Sequence, residues 1–319
     1  MSRRITVLCG GVGAARFLRA LCSVVPAGEV TAIVNTGDDT DLHGLRISPD
    51  LDTVTYTLAG AIDPERGWGL VGETWEAMGS LARYSSVIPE DSTAGGTWFG
   101  LGDRDLATHL YRTGRLAEGA LLTEVTAEIA AAWRVEVELL PMSDGRHSTM
   151  VTLADGGEVS FQDYFVRLRH SVSVAGVRFD SDGSPATPRV LEALSNAEVV
   201  VIAPSNPFVS IAPIRALDGV DQLLAARRES VVAVSPIVGG EALKGPAARM
   251  AIELGHSSDV AAVATLYAEI ATALVIDPVD EALAEAVSAA GMRPVVVPSV
   301  MSDPAVAARL AEATIAAVQ

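Results

Sequence analysis

Apolar and polar positions alternate along this chain in two registers, and the change from one to the other marks its elements. Arg3 to Cys9 is a short β-rich run, broken by Gly10-Gly11-Val12-Gly13. Ala14 to Val25 then places Phe17, Leu18 and Leu21 on one helical face, and Pro26 closes it. Val30 to Asn35 is a second apolar run, so the chain opens with a βαβ unit whose glycine turn starts the helix. The second half repeats the alternation. Strands are predicted at Glu198–Ala203, Ser230–Ser235, Leu274–Ile276 and Arg293–Val297. Helices are predicted at Thr187–Asn196, Val220–Arg228, Gly245–Leu254, Asp259–Thr272, Glu281–Ala290 and Pro304–Val318. Short apolar strands between amphipathic helices predict an α/β fold, a mostly parallel doubly wound sheet covered on both faces.

The middle reads differently. Asp50 to Trp133 is mostly helical and holds Trp68, Trp75, Trp98 and Trp133. Val135 to Phe165 reads as strands, with a hairpin turn at Asp155-Gly156-Gly157. The expected division is a nucleotide-binding core from residues 1–55 and 134–319, with a smaller helical insert at 56–133. Asp91 to Gly96 has the composition of a surface loop.

Composition narrows the ligand classes. A 49% hydrophobic, 20% charged chain builds a core and is not disordered. The net charge of −17 repels nucleic acid and anionic membranes, so neither is expected as a partner. No apolar run reaches the roughly 18 residues of a membrane span, and no signal-peptide pattern follows Met1. Cys9 and Cys22 are too few for a disulfide framework or a cysteine-built zinc site. A cytoplasmic setting is the simplest expectation. A phosphate ligand would need local help in so acidic a chain, from helix-start N–H groups, a few arginines, or a carboxylate-held metal.

The motifs offer that help. Gly10, Gly11 and Gly13 follow a strand and open a helix, a context that favours phosphate contact over a merely tight turn. The dinucleotide reading is weaker, because the third fingerprint glycine is replaced and the second strand ends in Asn35. Asn35-Thr36-Gly37-Asp38-Asp39-Thr40-Asp41 and Ser48-Pro49-Asp50-Leu51-Asp52 place carboxylates just past a strand's carboxyl end, where α/β folds bind ligands. Such oxygen ligands suit Mg²⁺. Asp38, and Asp50 or Asp52, are expected at a metal or substrate; Asp39 and Asp41 read as solvated loop residues. In Gly102-Asp103-Arg104-Asp105, Asp103 reads as the cap of its own helix, Arg104 as an arginine facing an anion, and His109 as structural. The loops Pro204-Ser205-Asn206-Pro207 and Ser235-Pro236 follow strands and would bring Ser205, Asn206, Pro207 and Ser235 to a shared nucleotide cleft. Lys244 is the single lysine, which disfavours Schiff-base chemistry or a lysine-clamped ATP site.

Together these motifs, with Arg66-Gly67-Trp68-Gly69, Leu140-Pro141-Met142-Ser143-Asp144 and Phe161-Gln162-Asp163, resemble the 2-phospho-L-lactate transferase family of deazaflavin coenzyme F-420 biosynthesis. The spelling GGVGAARFL, the GDD and the RGWG are closest to its actinobacterial, phosphoenolpyruvate-transferring branch. The resemblance implies a Rossmann-like core with a helical domain, usually a homodimer. It implies Mg²⁺ and two substrates: the deazaflavin Fo, and a phosphorylated three-carbon acid carried on GMP as a guanylyl diphosphate. Transfer releases GMP and yields coenzyme F-420-0 or its dehydro form. On this reading Asp38, Asp50 and Asp52 hold metal and Asp50 positions or deprotonates the attacking hydroxyl. Gly10, Gly11 and Gly13 hold the guanosine-side phosphate, Ser205 and Asn206 contact the nucleotide, and Arg104 contacts Fo or the transferred phosphoryl group. Asn35, Thr36, Pro207 and Ser235 complete the expected binding set. The alternative is a non-enzymatic sugar-nucleotide-binding regulator of the gluconeogenesis-factor type; Pro49-Asp50-Leu51-Asp52 and the Gly102–His109 segment favour the transferase.

Overall fold

The computed structural model describes residues 4–89, 94, 98–242 and 245–318. The predicted loop at Asp91–Gly96, Ala94 apart, and Lys244 lie outside the described residues.

The strands are β1 (Ile5–Cys9), β2 (Val30–Val34), β3 (Thr40–Leu42), β4 (Leu45–Ile47), β5 (Glu138–Pro141), β6 (His147–Leu153), β7 (Glu158–Ser160), β8 (Val174–Ser181), β9 (Val199–Ile202), β10 (Val231–Val234), β11 (Ile237–Val238), β12 (Glu241–Ala242), β13 (Ala273–Ile276) and β14 (Arg293–Val296). Seven of them form one sheet in the order β14-β13-β10-β9-β1-β2-β5. Every pairing in it is parallel. The expected doubly wound α/β architecture is therefore present, with its strands at the predicted places. β1, β9, β10 and β13 are buried along their whole length, which is why they read as unbroken apolar runs. Successive residues feed opposite cores: Val7 and Cys9 pack with Phe17 and Leu18 on one face, and Leu8 packs with Ile202 and Ile214 on the other.

The order also locates a crevice. From β1 the chain steps outward to β2 and β5, then returns to β9 on the other side of β1 and steps outward again. β1 and β9 thus flank the topological switch point, and the loops leaving their carboxyl ends meet there. Helix α1 (Gly11–Leu21) starts in the loop after β1, and α2 (Pro49–Leu58) packs along α1 through Leu51 and Val54. The α2 helix runs continuously past residue 55, the expected domain boundary. Beyond it come α3 (Glu76–Leu81), α4 (Asp105–Ala117) and α5 (Leu122–Ala132).

The strand reading of Val135–Phe165 holds for β5, β6 and β7, with Gly156 in the turn at φ +87°. It fails at its end. Asp163–Arg167 is a π-helical turn in which Phe161 stacks on Phe165 at 5.6 Å, so aromatic packing overrides β-propensity. β8 joins β6 antiparallel and completes a separate three-stranded sheet.

Candidate functional site

At the switch point lies a cleft of about 810 Å³. It brings together Gly10, Gly11 and Gly13 from the β1 loop, Asp38 from the β2 loop, Asp50 and Asp52 from α2, Ser205 and Asn206 from the β9 loop, and Ser235 from the β10 loop. Its far wall is aromatic, with Trp68, Phe99, Phe161 and Phe165.

The glycine loop is shaped by close approach. A Cβ on Gly10 would lie 2.6 Å from Asp50 Oδ2, and one on Gly13 would lie 2.5 Å from the Pro204 carbonyl oxygen. Gly11 has φ +73°, a left-handed backbone that favours glycine. Helix α1 carries no acidic residue of its own in its first turn, unlike α2 and α4, and the carboxylate at its positive end is Asp50, which accepts from the Gly11 N–H.

Asp38 and Asp50 are buried, and among the described residues neither forms an ion pair with an arginine or histidine. Asp38 Oδ1 has no hydrogen-bond partner there either. Burial, then the neighbouring Asp50 and Asp39 carboxylates, push Asp38 well above the ordinary carboxylate range. Burial also pushes Asp50 up to about 6, against hydrogen bonds from Asn35 and the Gly11 N–H. Asn35 is committed to this arrangement: its Nδ2 donates to Asp50 Oδ2 at 3.0 Å, and its Oδ1 accepts from Gly37 N at 2.8 Å. It therefore orients Asp50 and does not itself line the cleft. Two buried carboxylates with no cationic partner among the described residues, beside a helix start, fit a divalent cation taking oxygen ligands.

Asp52, from the expected metal set, has a cationic partner within the protein. Both its carboxylate oxygens are engaged by Arg112, with Nη1 3.2 Å from Oδ2 and Nη2 on Oδ1. Asp39 departs from expectation. Its side chain is buried, not solvated, and accepts from Ser48 Oγ at 2.7 Å with Arg46 at 3.4 Å; burial pushes it up to about 7 against those two partners. Asp41 is exposed and pairs with Arg146.

The polar loop residues turn inward. Ser205 Oγ accepts from Gly10 N and donates to the Gly10 carbonyl, so it ties the β1 and β9 loops together. Asn206 Oδ1 accepts from Phe208 N, and Ser235 Oγ bonds both ends of Ile237 within its own loop. Thr36 and Pro207 are buried below the cleft and do not line it.

Arg104 lies outside the cleft lining. Its side chain is exposed and donates to the Val71 carbonyl. The anion at this helix start is internal and meets the backbone, not the guanidinium: Glu73 accepts from the N–H groups of Arg104 and Asp105, at 2.8 and 3.0 Å, and caps α4. Asp103, expected to cap α4, instead accepts from Glu76 N and Ala77 N at the start of α3. The arginine the cleft does hold is Arg16 on α1, half-buried and with no hydrogen bond or ion pair among the described residues. Arg66 is also present, packed over Trp68 and Trp75 at 5.4 Å from each ring.

Sequence reading missed Arg112 and Tyr56. Tyr56 Oη donates to Asp105 Oδ1 at 2.6 Å and lines the cleft. Although burial works to raise it, bonding to His109 holds Asp105 below its ordinary value. The signal was available: Asp105, His109 and Arg112 stand at i, i+4 and i+7 on one helical face.

Among the described residues no helix is long and apolar enough to cross a membrane. A family model described as 2-phospho-L-lactate transferase CofD matches residues 5–314. The chain is 44% identical over 305 residues to a phosphoenolpyruvate transferase of Streptomyces griseus, covering 94% of this chain and 93% of that one. It is 40% identical to the phosphoenolpyruvate transferase of Mycolicibacterium smegmatis, over 97% of both chains. A crystal structure of protein BH3568 from Bacillus halodurans superposes with a TM-score of 0.66 at 16% identity, covering 99% of this chain and 100% of that one, which shows a shared fold.

Proposed function

Because the chain belongs to the CofD transferase family and its relatives are phosphoenolpyruvate transferases, it is a transferase of F-420 biosynthesis, and we propose the reaction its cleft performs. The donor is a guanylyl diphosphate carrying phosphoenolpyruvate or 2-phospho-L-lactate, the acceptor is Fo, and the leaving group is GMP. The observation that carries this reading is the placement of two buried carboxylates, without an ion-pair partner among the described residues, against a glycine-opened helix start, in one cleft with an aromatic wall.

In the proposed reaction the primary hydroxyl of Fo attacks the phosphorus next to the three-carbon acid. The bond from that phosphorus to the GMP phosphate oxygen breaks, GMP departs with the bonding pair, and the hydroxyl proton passes to the Asp50 carboxylate and on to solvent. Such transfer depends on alignment and charge neutralisation. Asp38 and Asp50 would hold Mg²⁺, which would neutralise the diphosphate oxygens. The first-turn N–H groups of α1 receive the guanosine-side phosphate, with Arg16 beside them. Asn35 holds Asp50 in the orientation that meets the hydroxyl. Trp68, Phe99, Phe161 and Phe165 offer the planar deazaflavin an apolar wall.

Arg16 gives a specific prediction. A charge-assisted hydrogen bond to phosphate is worth about 1.5–3 kcal/mol, so Arg16→Ala should raise the donor KM about 10–100-fold with a smaller change in kcat. Steady-state kinetics with Fo saturating measures it; an unchanged donor KM removes Arg16 from the site. The reaction itself is tested by mixing protein, Fo and Mg²⁺ with each guanylyl donor and following products by mass. GMP should appear one for one with a phosphodiester of Fo, and the enolpyruvyl donor should give a product lighter by one H₂ than the lactyl donor does. Binding of a uridine sugar without any Fo binding would point instead to the regulator.

A further inference from the structure

The cleft wall holds a second acidic group beside Asp38 and Asp50. Asp52, Asp105 and His109 bring donor atoms within 4.8 Å of one another, and all three are buried. His109, 1% exposed, holds its Nε2 3.4 Å from Asp105 Oδ2 and its Nδ1 3.7 Å from Asp52 Oδ2. Carboxylate oxygens with an imidazole are a donor set that divalent first-row ions accept.

A guanidinium already stands in this cluster. Arg112, 1% exposed, engages both oxygens of Asp52 and places Nη1 3.4 Å from His109 Nδ1 and 3.4 Å from the Arg46 carbonyl oxygen. Stability alone is a weak reason for it, since a buried ion pair is often replaced by apolar residues at little cost. The contrast with Asp38 and Asp50 is informative: one group of acids carries its own cation and the other does not.

We propose that Arg112 is a positioning residue that serves as the fixed cation of the Asp52–Asp105–His109 cluster and so confines the divalent ion to Asp38 and Asp50. The inference rests on the metal reading above for the place of the ion. A bidentate guanidinium suits the task because it stays charged at any working pH and cannot exchange with solvent ions. An ion captured one cluster away would draw the diphosphate from the glycine loop, and misplacement by about 1 Å can cost 10²-fold in rate.

The test is Mn²⁺ titration of the whole protein, with free Mn²⁺ counted by electron paramagnetic resonance and folding checked by circular dichroism. The wild type should bind a single ion, and Asp38→Asn should lose it. Arg112→Gln should bind one ion more, adding His109→Ala should remove the extra ion, and Arg112→Lys should stay at the wild-type count. Arg112→Met, which keeps the aliphatic stem, is the second variant should Gln impair folding. A structural ion pair would not change the count. An unchanged count in folded Arg112→Gln or Arg112→Met overturns the proposal and leaves the Asp38–Asp50 site standing. An ion gained by those variants but absent from the wild type sinks the Asp38–Asp50 site and keeps Arg112 as the stand-in cation. No ion in any of them overturns both.

Discussion

Replacing Asp50 by Asn is expected to stop transfer and to raise the melting temperature of the metal-free protein. The loss follows from the position of the carboxylate, bonded by Asn35 and set against the glycine loop. Removing one preorganised electrostatic group from a reaction centre costs about 10²–10³ in kcat. The gain in stability follows from the folded-state pKa of about 6, raised by burial above the ordinary 3.8. Above pH 6 the carboxylate is ionised in both states, and the folded state bears the whole cost of the buried charge. Between the two values the folded protein takes up the proton and the cost shrinks; below the unfolded value it is gone. The amide is neutral throughout, so the advantage of Asp50→Asn should be present at pH 8 and absent near pH 4. Its size is on the order of 1 kcal/mol or more, at 1.36 kcal/mol for each pKa unit. About 2–4 °C in Tm goes with each kcal/mol in chains of 150–250 residues. Thermal melts in EDTA at the two pH values, beside single-turnover assays, measure both halves. A variant that is less stable at pH 8, or that still transfers at the parental rate, contradicts the role given to Asp50.

Gly13→Ala should fail for a steric reason. The added Cβ would stand 2.5 Å from the Pro204 carbonyl oxygen, a backbone atom that cannot swing away. The β9 end is tied down on both sides, with Ala203 N donating to the Leu8 carbonyl at 3.0 Å and Ser205 N to the Ala203 carbonyl at 2.7 Å. Overpacking of this kind costs about 1–3 kcal/mol. The loop must also shift relative to Asp50, and catalysis should drop by about 10²-fold. Gly114→Ala is the control: a Cβ there meets nothing within 4 Å, and it lies within α4. It should stabilise by up to about 1 kcal/mol and leave activity unchanged. Melting curves and initial rates of the two variants test the pair; equal behaviour would mean the close approach of the two loops is not needed.

Much of the fold was legible because its strands are buried on both faces. β1, β9, β10 and β13 are continuous apolar runs, and the glycines and prolines that end them stand out. β8 was not legible, because most of its residues are not buried and it carries Gly176 and Asp180 in place of apolar alternation. At the site, position at a strand's carboxyl edge was enough to place Asp38, Asp50 and the glycines in the lining of one cleft. What polarity cannot distinguish is a side chain that awaits a ligand from one that closes its own turn. Asn206 and Ser235 are of the second kind, and Ser205 bonds the neighbouring loop at Gly10. Nor can one segment reveal a partner supplied by another. Arg104 seemed to lack an anion because Glu73, which caps its helix, stands 31 residues earlier. The guanidinium that meets Asp52 is likewise remote in the chain, since Arg112 stands 60 residues later.

The most direct test of the account is to crystallise the protein with Mn²⁺ and GMP and to map the anomalous scattering. The account predicts the strongest peak between the carboxylates of Asp38 and Asp50, with the GMP phosphate on the first-turn amides of α1. An ion bound elsewhere in the cleft, with Asp38 and Asp50 left unliganded, would contradict it.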